Sequence, residues 1–292
     1  MDFQLSDDQR ELQETARKFA RAELMDLSRE MEEKAMPLPE AMRKRYAEMG
    51  FLGINLPEQY GGLGLGHLEA LLVLEQFAMI SPAVAWPIFE SATGPVRTVQ
   101  HFASDTLKDR ILPEVIQGDK IVAVSMSEPS AGTALTDLKT AARYDGDEIV
   151  LTGQKRWCSG GGHSDYYIVY CRFDGEPGAK GIGAVLVEKE REGLSFGRPE
   201  QLMGFRGIPS ADIFLDDVRV PRDNIIVPKG GFAKLMTAFS LERCGNATMG
   251  LGIAAAALEE ATAYAQERTQ FSKPIVDFQA IQMKLAEMAM KV

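Results

Sequence analysis

Apolar positions in the first third of the chain recur at helical spacing. Leu12, Ala16, Phe19 and Ala20 follow "SDDQ" (Ser6 to Gln9), a pattern in which a hydroxyl and a glutamine satisfy each other's free backbone N–H groups at a helix start. A second helix is predicted from about Pro39 to Met49, stopped by Gly50, and two or more further helices between Leu68 and Gln117. Between them, "GFLGINLPEQYGGLGLG" carries the Pro and Gly residues of irregular chain. The middle third changes period. "IVAVSMS", "DEIVLTG", "YYIVYCRF", "IGAVLVEKE" and "ADIFLDD" are short β-branched or alternating runs separated by Gly, Pro and Asp, the pattern of an antiparallel sandwich or barrel. After "RVPRDNIIVPKGG" the helical period returns, with one long helix expected over Phe232 to Arg268 and another from near Ile275. Runs of helices, then strands, then helices indicate an α+β multidomain fold, because a parallel α/β fold would alternate them. The expected division is an all-helical domain over 1–119, a β-domain over 120–228, and the first part of a helical bundle over 229–292. The last residues, "QAIQMKLAEMAMKV", are helix formers without a capping glycine or a proline, so the expectation is a chain cut within a helix.

Composition narrows the function classes. The 292 residues carry a formal net charge of -10, which argues against a nucleic-acid backbone as the main partner. The cysteines, Cys158, Cys171 and Cys244, are odd in number and lack zinc-ligand or CxxC spacing, and the three histidines are scattered. No metal site and no disulfide framework are expected. With an acidic, helix-patterned start and no apolar run of spanning length, the expected location is the cytoplasm, with no membrane partner. No GxGxxG opens a helix after a strand, and there is no P-loop.

Five stretches in order carry a resemblance. They are "LPEQYGGLG", "SMSEPSAGT", "GQKRWCSGG", "MGFRG" followed by "DDVRVP", and "ERTQFSKPIVDFQAIQ". Together they resemble the flavin-dependent acyl-CoA dehydrogenase family over essentially the whole chain. The resemblance implies FAD, an acyl-CoA thioester substrate, oxidation of its Cα–Cβ bond to a trans-2-enoyl-CoA, an electron-transfer flavoprotein as acceptor, and a homo-oligomer, tetramer or dimer. It places Met126 and Ser127 against the isoalloxazine, with Trp157 and Ser159 covering the ring and its N5 edge. Taken alone, Trp157 reads equally well as a core aromatic of the β-domain. Gly132 and Thr133 match a tight loop near the flavin pyrophosphate and the CoA. Arg268, Gln270, Phe271 and Gln279 match a segment that reaches the FAD of a neighbouring subunit; the plainer reading of Arg268 is an exposed residue at a helix end. Three positions depart from the family, Ser240 among them, near which Asp or Asn is often found. Ala134 stands where an acid follows the Gly-Ser/Thr pair, and Ser125 where a small apolar residue is usual.

"SLERCGN" (Ser240 to Asn246) heads a run of small residues. Removing a proton α to a thioester needs a base in a dry cleft, and burial brings a carboxylate toward the right range. The isovaleryl-type branch of the family places its glutamate in the long helix just before an arginine, which makes Glu242 the candidate catalytic base. Arg243 and Ser240 are the candidate substrate contacts beside it, with Thr133. A local ion pair explains "ER" poorly, since adjacent helical residues point about 100° apart. The glycines at 245, 250 and 252 suit close helix packing, or room for an acyl chain. Two alternatives stay open: an oxidase or desulfinase on the same fold, and a non-catalytic member acting in binding or assembly.

Overall fold

The computed structural model describes residues 4–292. It opens with α1 (Asp7–Glu23), α2 (Met25–Lys34), α3 (Glu40–Glu48), α4 (His67–Ala78), α5 (Pro82–Ala92), α6 (Pro95–Phe102) and α7 (Asp105–Ile116). The expected start of α1 is present. Ser6 Oγ accepts from Gln9 N at 3.2 Å, and Gln9 Oε1 accepts from Ser6 N at 3.0 Å. The apolar stripe of α1 delivers Phe19 into an aromatic cluster with Tyr46, Phe51 and Phe77, the ring centroids 5.0–5.8 Å apart and mostly edge to face. The break between α1 and α2 at Leu24 has no punctuating residue, and the hydrophobic period gave no sign of it.

The central sheet contains β1 (Val122–Ser125), β2 (Ala141–Asp145), β3 (Glu148–Ser159), β4 (Tyr166–Phe173), β5 (Ile182–Glu188), β6 (Leu194–Phe196), β7 (Ser210–Pro221) and β8 (Ile225–Val227). Its order is β6-β7-β3-β2-β4-β5-β8, with β1 joining at β4. Most pairs are antiparallel, as expected, but β1·β4 and β2·β4 are parallel. The cause is a local anchor. Asp165 accepts from Ile121 N at 2.9 Å and from Lys120 Nζ at 3.0 Å, so the chain leaving α7 is laid alongside the start of β4. Side-chain alternation does not report strand direction, so the pattern could not show this. Successive residues of β4 feed different cores. Tyr166, Ile168 and Tyr170 pack with α6 and α7, whereas Tyr167, Val169, Cys171 and Phe173 pack inside the β-layer.

Helix α8 (Phe232–Glu267) then crosses back over the N-terminal helices, followed by a two-residue hairpin, β9 (Thr269–Gln270) with β10 (Lys273–Pro274), and by α9 (Gln279–Lys291). Its glycines are of two kinds. A Cβ on Gly245 would meet Thr93 Oγ1 and lie 2.8 Å from a Phe89 ring carbon; one on Gly252 would lie 2.7 Å from Ala78 Cβ. Gly250 has open space. Close packing on α5 and α4 is therefore what Gly245 and Gly252 provide. Gly245→Val is expected to cost about 1–3 kcal/mol in denaturant unfolding. Gly250→Ala is expected to stabilise by about 0.5–1 kcal/mol, as Ala does in an open helix position. No helix of the described residues is long and apolar enough to cross a membrane.

Candidate active site

Three elements meet at one cleft of about 150 Å³: the middle of α5 and the chain after it (Trp86, Phe89, Glu90, Pro95), the end of β1 and its continuation (Val124, Met126, Ser127), and the end of β3 (Arg156 to Ser159), with Glu242 of α8 closing it. The sequence-derived candidates Met126, Ser127, Trp157, Ser159 and Glu242 are thus brought together.

Trp157 is not a core aromatic. It is 61% exposed, with a left-handed φ of +55°. The register between β3 and β7 slips between Lys155 and Cys158, a bulge that turns Trp157 out of the sheet and toward the cleft. The Arg156 guanidinium carbon sits 5.1 Å from its ring centroid. Ser127 and Ser159 line the same cleft, and among the described residues neither hydroxyl has a hydrogen-bond partner. A turned-out indole, unengaged hydroxyls and the apolar wall of Trp86, Phe89, Val124 and Met126 fit a flat, hydrogen-bonding ring system such as an isoalloxazine. Trp86 is itself held by stacking on Phe89 at 4.7 Å and by the edge of Phe205, from "MGFRG", at 5.2 Å.

Glu242 is part-buried, and burial pushes its carboxyl up to about 7 despite the opposing Arg243 charge. Among the described residues no ion pair joins Glu242 to Arg243, as the helix geometry requires. Arg243 points to the exposed side, its guanidinium carbon 4.5 Å from the Phe239 ring centroid and Nη1 donating to Ser240 Oγ at 3.3 Å. Ser240 in turn donates to Met236 O at 3.1 Å.

The other candidates lie elsewhere. Gly132 and Thr133 are exposed on the loop that leaves β1, outside the cleft lining. Arg268, Gln270, Phe271 and Gln279 surround the hairpin after α8. At about 1.5 Å per residue, the helix separates Arg268 from Glu242 by roughly 39 Å. Phe271 forms the hairpin tip with Ser272, at φ of +50° and +63°, and is 89% exposed. Of the three departures, Ser125 has a structural account. Its Oγ lies 3.1 Å from Cys158 Sγ inside the sheet, so it does not face the cleft, and burial pushes the Cys158 thiol up to about 12.

Sequence reasoning missed two features. Glu90 is a lone acid in the apolar run "AWPIFESATG", and that isolation was the available signal. Glu128 and Lys155 form a fully buried ion pair at 2.8 Å, and nothing in the spacing of "SEPSAG" and "GQKRW" shows that they meet.

Comparison with known proteins places the chain in a family. The chain matches the acyl-CoA dehydrogenase N-terminal domain over residues 6–119, the middle domain over 123–218 and the C-terminal domain over 229–292. The chain belongs to the acyl-CoA dehydrogenase family, and is an oxidoreductase of that family. It is 37% identical to a 3-(aryl)acrylate reductase of Clostridium sporogenes, across 96% of this chain and 74% of that protein. It is 36% identical to a cyclohex-1-ene-1-carbonyl-CoA dehydrogenase of Geobacter metallireducens, across 99% and 76%. Among solved structures, butyryl-CoA dehydrogenase from Megasphaera elsdenii superposes with a TM-score of 0.95 at 31% identity, over 100% of this chain and 77% of the other. A glutaryl-CoA dehydrogenase from Mycobacterium smegmatis in complex with FADH2 superposes at 0.91 with 26% identity, over 98% and 72%.

Proposed function

We propose that the protein oxidises an acyl-CoA thioester at its Cα–Cβ bond, with FAD as the resident cofactor and Glu242 as the base. The observation that carries this reading is the meeting, in one cleft, of a carboxylate poised near neutrality and the residues suited to a flavin ring. Bound FAD would supply the hydride acceptor for the β-hydrogen. The chain supplies the rest. Met126, Ser127, Trp157 and Ser159 would hold the ring, while Trp86, Phe89 and Pro95 keep the acyl region apolar and dry. Glu242 takes the α-proton onto its carboxylate, which the drying of the cleft makes a stronger base. Arg243 and Ser240, on the outer side of the same helical turn, are placed for the polar arm of the CoA, and Thr133 offers a hydroxyl from the loop after β1.

The separation of Arg268 from Glu242 exceeds what one dinucleotide spans. Arg268, Gln270, Phe271 and Gln279 would therefore serve the FAD of a second copy, in a dimer or tetramer. An electron-transfer flavoprotein is the proposed acceptor.

Anaerobic addition of acyl-CoA thioesters with short, branched, alicyclic and aryl acyl groups to the FAD-loaded protein is expected to bleach the flavin absorbance with at least one of them, with the trans-2-enoyl-CoA as product. A protein that retains FAD and bleaches with none would overturn the reading.

A further inference from the structure

A second carboxyl shares the cleft with Glu242. Glu90, on α5, is 6% exposed, and among the described residues no ion pair with a cation engages it. One side of it lines the cleft beside Glu242. The other lines a separate small pocket of about 30 Å³, walled mostly by apolar residues such as Leu38, Ile121 and Ile208, with Arg43, His163 and Ser164 as its polar part. That space is the size of one water molecule. In its wall, Ser164 Oγ is buried and, among the described residues, without a hydrogen-bond partner. Glu90 thus stands as a partition between this pocket and the reaction cleft.

We propose that Glu90 is a positioning residue for Glu242: it must keep its proton while Glu242 carries the negative charge, and its ionisation shuts the reaction off at alkaline pH. This rests on Glu242 being the base.

The groups around the pair set the order of ionisation. Burial is the main force on Glu90 and pushes it up to about 8. The Trp86 N–H and the Arg43 charge favour its anion, but Arg43 Nε is already donating to Gly118 O at 2.7 Å. The Glu242 charge opposes it. From the sheet, the Cys158 thiol and the Tyr167 phenol are both pushed well up by burial and stay neutral beside it, and burial lowers His163. Glu242 is opposed chiefly by its own burial and favoured by Arg243, and its charge also raises Tyr170 on β4. Arg156 completes the charged groups of the cleft. Glu90 is the more deeply buried and has no ion-paired cation, whereas Glu242 is part-buried with Arg243 next to it, so Glu242 ionises first, against a neutral Glu90, and Glu90 second, against an existing charge. The pair titrates in two steps that belong to both groups. The working state is the singly charged one. A second negative charge in the same dry cleft opposes the charge that develops on the thioester as its α-proton leaves, and opposes electron uptake by the flavin.

The test is the rate of flavin reduction by a bleaching acyl-CoA at saturation, followed from about pH 6 to about pH 10. The expected profile is a bell, rising as Glu242 loses its proton and falling as Glu90 does. In Glu90→Gln the rising limb remains and the alkaline fall is gone, so that two pH units above the fall the variant holds its plateau while the parent has lost about 100-fold. An alkaline limb unchanged in Glu90→Gln overturns the proposal. A second readout needs no turnover. In Glu242→Gln, the infrared carbonyl band of a buried protonated carboxyl is expected to persist and to titrate at lower pH than in the parent, because the opposing charge is gone. Absence of that band, or no downward movement, also overturns it. A Glu242→Gln protein that still bleaches at the parental rate would instead remove the assignment of the base, whatever Glu90 does.

Discussion

Glu242→Gln is expected to lower the rate of flavin reduction by about 10²–10⁴-fold, the usual contribution of a positioned general base. That range corresponds to about 3–5 kcal/mol in the barrier. Glutamine keeps the volume and the polar end of the side chain, so the walls of the cleft stay as they are. What it lacks is a lone pair basic enough to take the α-proton. FAD content and acyl-CoA affinity are therefore expected to change far less than the rate, and the loss should fall on the reductive step in stopped-flow traces. In the parent, the rate should rise through about pH 7, because burial lifts Glu242 to that region and only its anion is a base. A variant that reduces its flavin within about tenfold of the parent would move the base to another residue.

Most of the helices, the β-runs and the candidacy of Glu242 were legible in the sequence because each rests on a local signal. The capping residues Ser6 and Gln9 mark α1, and the unbroken aromatic and β-branched run from Tyr166 to Tyr170 marks β4. Glu242 stands out as an acid where the helix turns apolar. Features set by tertiary approach were not legible. The parallel placement of β1 beside β4 depends on Asp165, 40-odd residues from Lys120 and Ile121, and no local period encodes it. The outward turn of Trp157 depends on a bulge defined by its pairing with β7, so both its core and its cleft readings fitted the sequence. Glu90 differs again. Its position inside a helix was predictable, but its importance comes from facing Glu242 across a cleft that α5 and α8 create only when Gly245 lets them approach.

Lys155→Met is expected to destabilise the fold by about 3–5 kcal/mol, the cost of stranding one member of a buried ion pair. Lys155 Nζ donates to Glu128 Oε1 at 2.8 Å and to Met126 O at 3.0 Å, and the same carboxylate accepts from Lys139 N at 2.6 Å and Thr140 N at 2.9 Å. One ammonium thus ties the cleft-bordering strand β3 to the segment carrying Met126 and Ser127, and to the chain that enters β2. Burial alone would raise the Glu128 carboxyl, but Lys155 and these donors outweigh it and hold it below the usual carboxylate range. The sign follows. In the parent, this group contributes stability that is present above its unfolded value of about 4.5 and is lost as pH falls through the lower folded value. In Lys155→Met the ammonium is gone, burial dominates, and the folded value moves upward. The penalty should then be largest at neutral pH and shrink in acid as Glu128 takes up a proton. Denaturant unfolding at several pH values measures both effects, and FAD affinity should fall with them because Met126 and Ser127 lose their anchor. Lys155→Met combined with Glu128→Gln is expected to recover part of the neutral-pH loss, since no charge is left stranded. A single variant as stable as its parent at neutral pH would show that the pair does not hold the cleft together.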